Sequence, residues 1–163
     1  MLSIDYKLTG SGWAECTIAD GDQTCTVTAS YLSDAFGDLV LSAIAMLHWF
    51  NEVSFSFEEE PGEFRWLLKS LPDNRLELKI LDGGDRYSNL LPDDKCKLLF
   101  SSTCSQVGFG KAVVTAGNEL LKVHGEDGYL EKWDKPFPTA NFHQLDQLVT
   151  YFSQLPVFQN ADI

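Results

Sequence analysis

Hydrophobic and polar positions alternate between Trp13 and Tyr31 on both sides of "ADGD", a pattern of two half-buried strands. Asp20-Gly21 is a favoured central pair for a two-residue hairpin turn, and counting outward from it pairs Ile18 with Gln23 and Cys16 with Cys25. Cys16, Cys25, Val27 and Ala29 then share the core face, while Trp13, Glu15, Thr17, Thr24, Thr26 and Thr28 point away from it. The period changes at Ser33 or Asp34, either of which can cap a helix. From there Phe36, Leu39, Val40, Ala43, Met46, Leu47 and Phe50 fall at helical spacing, and Leu41 and Ile44 widen the stripe so that most sides should be covered. His48 and Trp49 read as packing residues near the end of this helix.

Alternation returns in "FSFEEEPGEFRWLL". A type II turn over Glu60-Pro61-Gly62-Glu63 would set Phe57 opposite Trp66, Phe55 opposite Leu68 and Glu58 opposite Arg65. A three-residue loop at Pro72-Asp73-Asn74, with Asn74 left-handed, sets Leu68 beside Leu78, Trp66 beside Ile80 and Lys69 beside Glu77. After the long loop "DGGDRYSNLLPDD", "KCKLLFSSTC" reads as a fourth strand of this meander. "SQVGFGKAVVTAGNELLKVHG" reads as a second helix closed by Gly125, followed by a short turn around "GYLEKW" and the break "KPFP". A last helix carries Phe142, Leu145, Leu148, Val149 and Phe152 in one stripe.

"FGDLVLSAIAML" aligns with "FGKAVVTAGNEL" at Phe, Gly, Val, Ala and Leu, and each follows a strand rich in Ser and Thr. The order strands, helix, strands, helix, helix gives the α+β class. Antiparallel meander sheet or sheets, two long helices on one face and a C-terminal helix are expected, in a two-fold strands-then-helix arrangement like the Whirly and PUR architectures in shape. Length supports a single domain over residues 1–163.

Charge changes the picture. The chain carries 24 acidic and 12 basic side chains, a net charge of −12, which repels nucleic acid and anionic lipid and favours encounter with a basic partner. No run approaches the roughly 18 apolar residues of a membrane span, and the start "MLSIDYKLTG" lacks the pattern of a signal peptide, so the expected location is cytoplasmic, with no membrane or nucleic-acid partner. Cys16, Cys25, Cys96 and Cys104 form no Cys-x-x-Cys pair and have no histidine at zinc spacing; they read as core residues in a reducing compartment, with Cys16 and Cys25 facing each other.

Candidate chemistry is sparse. Glu58, Glu59 and Glu60 are consecutive on a strand, so their side chains alternate between faces and make a poor ligand set. His48, His124 and His143 lie far apart, and no P-loop, Gly-x-Ser-x-Gly or Gly-x-Gly-x-x-Gly pattern is present. Cys104 precedes the second helix and could gain thiolate character there, against the plainer reading of a core or capping cysteine. No catalytic residue, metal or cofactor is assigned.

"SYLSDAFGDLVLSAIAML", "FSFEEEPGEFRWLL" and "KPFPTANFHQLDQL" together resemble a family of small bacterial proteins that includes immunity proteins of contact-dependent growth inhibition systems, with "EEEPGEFRW" as its most recognisable core. The resemblance implies a protein that neutralises a toxin domain by binding it, and it carries over no catalytic residue. A basic toxin, expected to be a nuclease such as an RNase, fits the acidic charge as a partner. The expected binding residues are Glu58, Glu59, Glu60, Glu63, Asp82, Asp85, Tyr87, Asp93 and Asp94. Further acidic patches lie at Asp20 and Asp22 and at Glu126, Asp127, Glu131 and Asp134. A small cytoplasmic enzyme of unknown reaction, or a structural or adaptor protein, remains the alternative.

Overall fold

A computed structural model describes residues 1–85 and 90–159. Three strands come first: β1 (Ser3–Gly10), β2 (Trp13–Asp20) and β3 (Gln23–Ser30), followed by helix α1 (Ala35–Leu47). Four strands follow, β4 (Glu52–Glu58), β5 (Gly62–Leu71), β6 (Arg75–Asp85) and β7 (Lys97–Ser105), with a 3₁₀ turn at Asp93–Lys95 before the last. Helices α2 (Gln106–Trp133), α3 (Thr139–Ser153) and the short α4 (Pro156–Gln159) complete the chain. The fold is α+β, with two antiparallel meanders, β1-β2-β3 and β4-β5-β6-β7. β1 is additional to the elements predicted above; Ile4, Tyr6 and Leu8 alternate onto its buried face.

In both hairpins the predicted turn centre is one residue off. The first turn is centred on Gly21-Asp22, with Gly21 at φ 57°, because glycine takes the first central position where a positive φ is required. Ile18 therefore pairs with Cys25 and Cys16 with Val27, so Cys16 and Cys25 do not face each other, and all four cysteines are free thiols. At the second turn the Glu60–Pro61 peptide is cis, which puts proline at the third turn position instead of the second. Glu58 then pairs with Glu63, Phe57 with Phe64, Phe55 with Trp66 and Val53 with Leu68. Moving a turn centre by one residue moves the pairing by two, which leaves every side chain on its predicted face. The third turn is as expected: Trp66 pairs with Ile80, Leu68 with Leu78 and Lys69 with Glu77, and Asn74 has φ 58°.

Helix α1 is shorter than its apolar stripe. It ends at Leu47, Trp49 turns the chain with φ 57°, and Phe50 is left exposed. Leu41 is half exposed, so one side of the helix stays wet. Trp49 packs edge-on against Phe152 at 5.6 Å. In α2 the predicted stop at Gly125 is a break, with φ 64° and ψ 177°, after which the helix resumes and buries Tyr129 and Trp133. Only glycine adopts that backbone conformation without strain.

The helices cross between the sheets. α1 follows the first sheet in sequence but lies on β4 and β5 of the second, while α2 follows the second sheet and runs along β1 of the first. α3 packs across both helices. The inner faces of both sheets and the three helices share one hydrophobic cluster, which includes Trp66, Leu68, Leu78, Ile80, Leu39, Val40 and Leu47, with Phe55 partly buried against it. At its centre Tyr6 of β1, Phe36 of α1 and Phe57 of β4 meet at ring distances of 5.2 and 6.2 Å. This crossing brings the start of α1 beside the end of β4.

Candidate functional site

The "FEEEPGEF" tip is tied down on three sides. The amide of Glu58 donates to Ser33 Oγ at 3.1 Å, just ahead of α1. Thr28 of β3 donates its hydroxyl to Glu59, whose amide in turn donates to Gly62 O at 2.7 Å across the turn. On the outer face, Arg65 Nη2 donates to Glu63 Oε1 at 2.6 Å and Nη1 donates to Leu91 O at 2.9 Å and to Asp93. Leu91 and Asp93 are thereby tied to the guanidinium that holds Glu63, which is only 4% exposed. A solvated hairpin tip is therefore the wrong picture for Glu63, and it holds only for Glu60.

Between the start of α1, strand β4 and the segment 90–93 lies an open cleft of about 830 Å³. Among the described residues, Asp34, Asp38, Glu58, Glu63 and Asp93 supply five carboxylates to its lining, and Arg65 supplies one cation. Arg65 is spoken for. Burial works against its charge, but the hydrogen bonds to Glu63 and Asp93 outweigh that and hold it protonated.

Two of the cleft carboxylates, Asp34 and Asp38, hold their protons more tightly than a free side chain. Burial raises the Asp38 carboxyl to about 6, helped by the neighbouring charges of Asp34 and Glu58. Asp34 is raised by burial, opposed by the Gly37 amide and by Lys135; it caps α1 without a hydrogen bond of capping geometry. Glu59 is raised by burial and then by Asp82. Asp34 and Asp38 sit one helical turn apart, on one face of the first turn of α1.

Of the residues expected to bind, the cleft gathers Glu58, Glu63 and Asp93. Glu59 leans onto β3, and Glu60 is exposed at the turn. Asp82 accepts from the Gly84 amide at 3.0 Å, Asp85 lies opposite Gly62 in the ladder, and Asp94 is exposed in the 3₁₀ turn. Tyr87 lies outside the described residues. Among the other patches, Asp20 binds Ser102 and the N-terminal amine, and Glu126 accepts from Thr139 at 2.9 Å. Asp34 and Asp38 were missed; the spacing Asp-x-x-x-Asp at a helix start is the signal that could have found them.

Among the described residues no group of three His, Cys, Asp or Glu side chains could hold a metal ion. Cys104 is buried, and the side chain that caps α2 is Ser105, whose Oγ accepts from the Gly108 amide at 2.8 Å. No helix of the described residues is long and apolar enough to cross a membrane. No family model matches the chain, and neither a curated protein nor a solved structure matches it.

Proposed function

We propose that this chain is an immunity protein that binds and neutralises a basic toxin domain, with the acidic cleft at the start of α1 as the centre of the binding surface. The observation that carries the reading is the imbalance in the cleft, where among the described residues five carboxylates stand beside one internally paired guanidinium. Charge of one sign held in a concave surface raises the rate of encounter with the opposite sign. A nuclease fits such a partner because its own cleft must be basic to hold phosphates, and a rigid acidic surface can occupy it in place of substrate. The net charge of −12 acts in the same direction over the whole molecule.

The test is co-expression with the toxin domain encoded directly upstream. Cells protected by the wild-type chain and killed when Asp34, Asp38 and Glu58 are replaced by their amides are expected. Protection that survives the triple replacement, or an upstream gene that encodes no toxin, overturns the reading.

A further inference from the structure

β1 borders the first sheet, and among the described residues no strand lies beyond it. Which of its backbone groups face outward follows from the hairpins. The two-residue turn at Gly21-Asp22 closes on a hydrogen-bonded pair of Asp20 and Gln23, so the even residues of β2 bond to β3 and its odd residues bond to β1. Ser3, Asp5 and Lys7 lie opposite Ala19, Thr17 and Glu15, and the amides and carbonyls of Ile4, Tyr6 and Leu8 therefore turn to the open edge. Among the described residues no backbone group outside β2 bonds to them. Beside this edge, between residues 5–8 and Leu120, Val123 and His124 of α2, runs a groove of about 300 Å³. Val123 on its helical wall is 69% exposed.

Native proteins guard such an edge with a proline, a bulge or charges that repel another strand. From Ile4 to Leu8 there is no proline, and the bulge of β1 falls after Leu8. The charges present are of opposite sign, Asp5 and Lys7, both exposed on the outer face. Around Tyr6 the segment is complementary to itself, with Asp5 and Lys7 one step away and Ile4 and Leu8 two steps away. A second β1 laid antiparallel, with Tyr6 opposite its own counterpart, sets each Asp5 opposite a Lys7 and each Ile4 opposite a Leu8. Asp5, whose neighbour on β2 is the neutral Thr17, thereby gains a cation across the open side. These are the non-hydrogen-bonded pairs, in which side chains come closest. A slip of two residues in either direction puts Asp5 opposite Asp5 or Lys7 opposite Lys7, so charge selects one register. We infer that β1 is the interface of a symmetric homodimer, in which two copies join edge to edge into one continuous antiparallel sheet. The two-fold axis stands normal to that sheet, which brings the α2 helices side by side on its inner face and covers Val123. A net charge of −12 on each copy opposes association, and the contact is small, so the dimer forms at roughly micromolar and higher concentrations. It does not draw on the acidic cleft.

Sedimentation equilibrium over roughly 1 to 500 µM chain, the range of small interfaces, is expected to show monomers passing to dimers. Amide exchange followed by NMR at both ends of that range should slow at Ile4, Tyr6 and Leu8, and stay unchanged at Asp5 and Lys7, which already bond to β2. Charge exchange tests the register. Asp5→Lys sets cations opposite each other and Lys7→Asp sets anions opposite each other, so each variant alone should dimerise about tenfold more weakly. Mixed in equal amounts the two variants complement each other and should regain the wild-type affinity, as should the double exchange in one chain. Both positions are exposed, and the exchange pattern of the wild-type chain decides the site should a variant fold poorly. A chain that is monomeric throughout, a dimer whose newly protected amides lie elsewhere, or mixed variants that fail to associate each overturn the interface.

Discussion

Arg65 on β5 holds Glu63, two residues before it on the same face, at 2.6 Å, and the carboxylate it holds is almost wholly out of water. The same guanidinium reaches the backbone of Leu91 and the carboxylate of Asp93. One side chain thus fixes the segment that forms a wall of the cleft.

Arg65→Met is expected to destabilise the fold by roughly 3 kcal/mol, because it removes the guanidinium that bonds the buried Glu63 carboxylate and ties down Leu91 and Asp93. Adding Glu63→Gln should restore part of that loss. Urea unfolding of the three variants checks both statements, and an Arg65→Met variant as stable as wild type would show that the wall is held by other contacts.

Asp38→Asn is expected to stabilise the chain at pH 8. The Asp38 carboxyl binds its proton more tightly in the folded state, at about 6, than in the unfolded chain, so its contribution to stability falls as pH rises through that window and is fully adverse above it. The gain should be about 1 kcal/mol after allowance for solvent screening of a half-buried group, and it should vanish by about pH 4. Thermal unfolding of variant and wild type across this range provides the measurement.

Glu59→Lys and Glu60→Lys should behave differently. Glu60 is exposed and its replacement should change stability by less than about 0.5 kcal/mol, whereas Glu59 accepts from Thr28 and its loss should cost about 1 kcal/mol. If the proposed toxin partner is bound, both should slow association, and the effect should shrink with added salt over a screening length of about 8 to 10 Å. Stopped-flow binding at two salt concentrations distinguishes steering from direct contact.

Gly117→Ala is expected to destabilise by about 1 to 3 kcal/mol through overpacking. A methyl group there would lie 2.2 Å from the Phe142 ring, which is itself wedged between Phe36 and Phe137. Gly10→Ala, which meets nothing within 4 Å, is the control on a strand.

Much of this fold could be read from the chain because alternation decides which face a side chain takes. Val27, Ala29, Phe57 and Trp66 are buried as their periodicity requires, although two turns are displaced by one residue. Alternation does not decide which residue of a turn takes the unusual backbone angle, and that is where Gly21 and Pro61 departed from expectation. The cleft was less legible for a different reason. Glu58 stands out along the chain for its place in an acidic run, but the carboxylates that join it, Asp34 and Asp38, come from the start of a helix that crosses onto another sheet. Nothing local to either segment records that meeting; the Glu-x-Arg spacing puts Arg65 on the face of Glu63, but nothing local records that Leu91 and Asp93 would come to the same guanidinium.

The crossing of α1 and α2 between the sheets also bears on how the chain is made. When the first sheet and α1 have left the ribosome, the surface that Leu39, Val40 and Leu47 will cover has not yet been synthesised, and β1 still waits for a helix that begins at Gln106. Neither half can bury its apolar face alone, so the nascent chain must hold both open until the second helix emerges. Chaperone demand should therefore peak before α2 is complete, and two fragments separated between α1 and β4 should fold only in each other's presence.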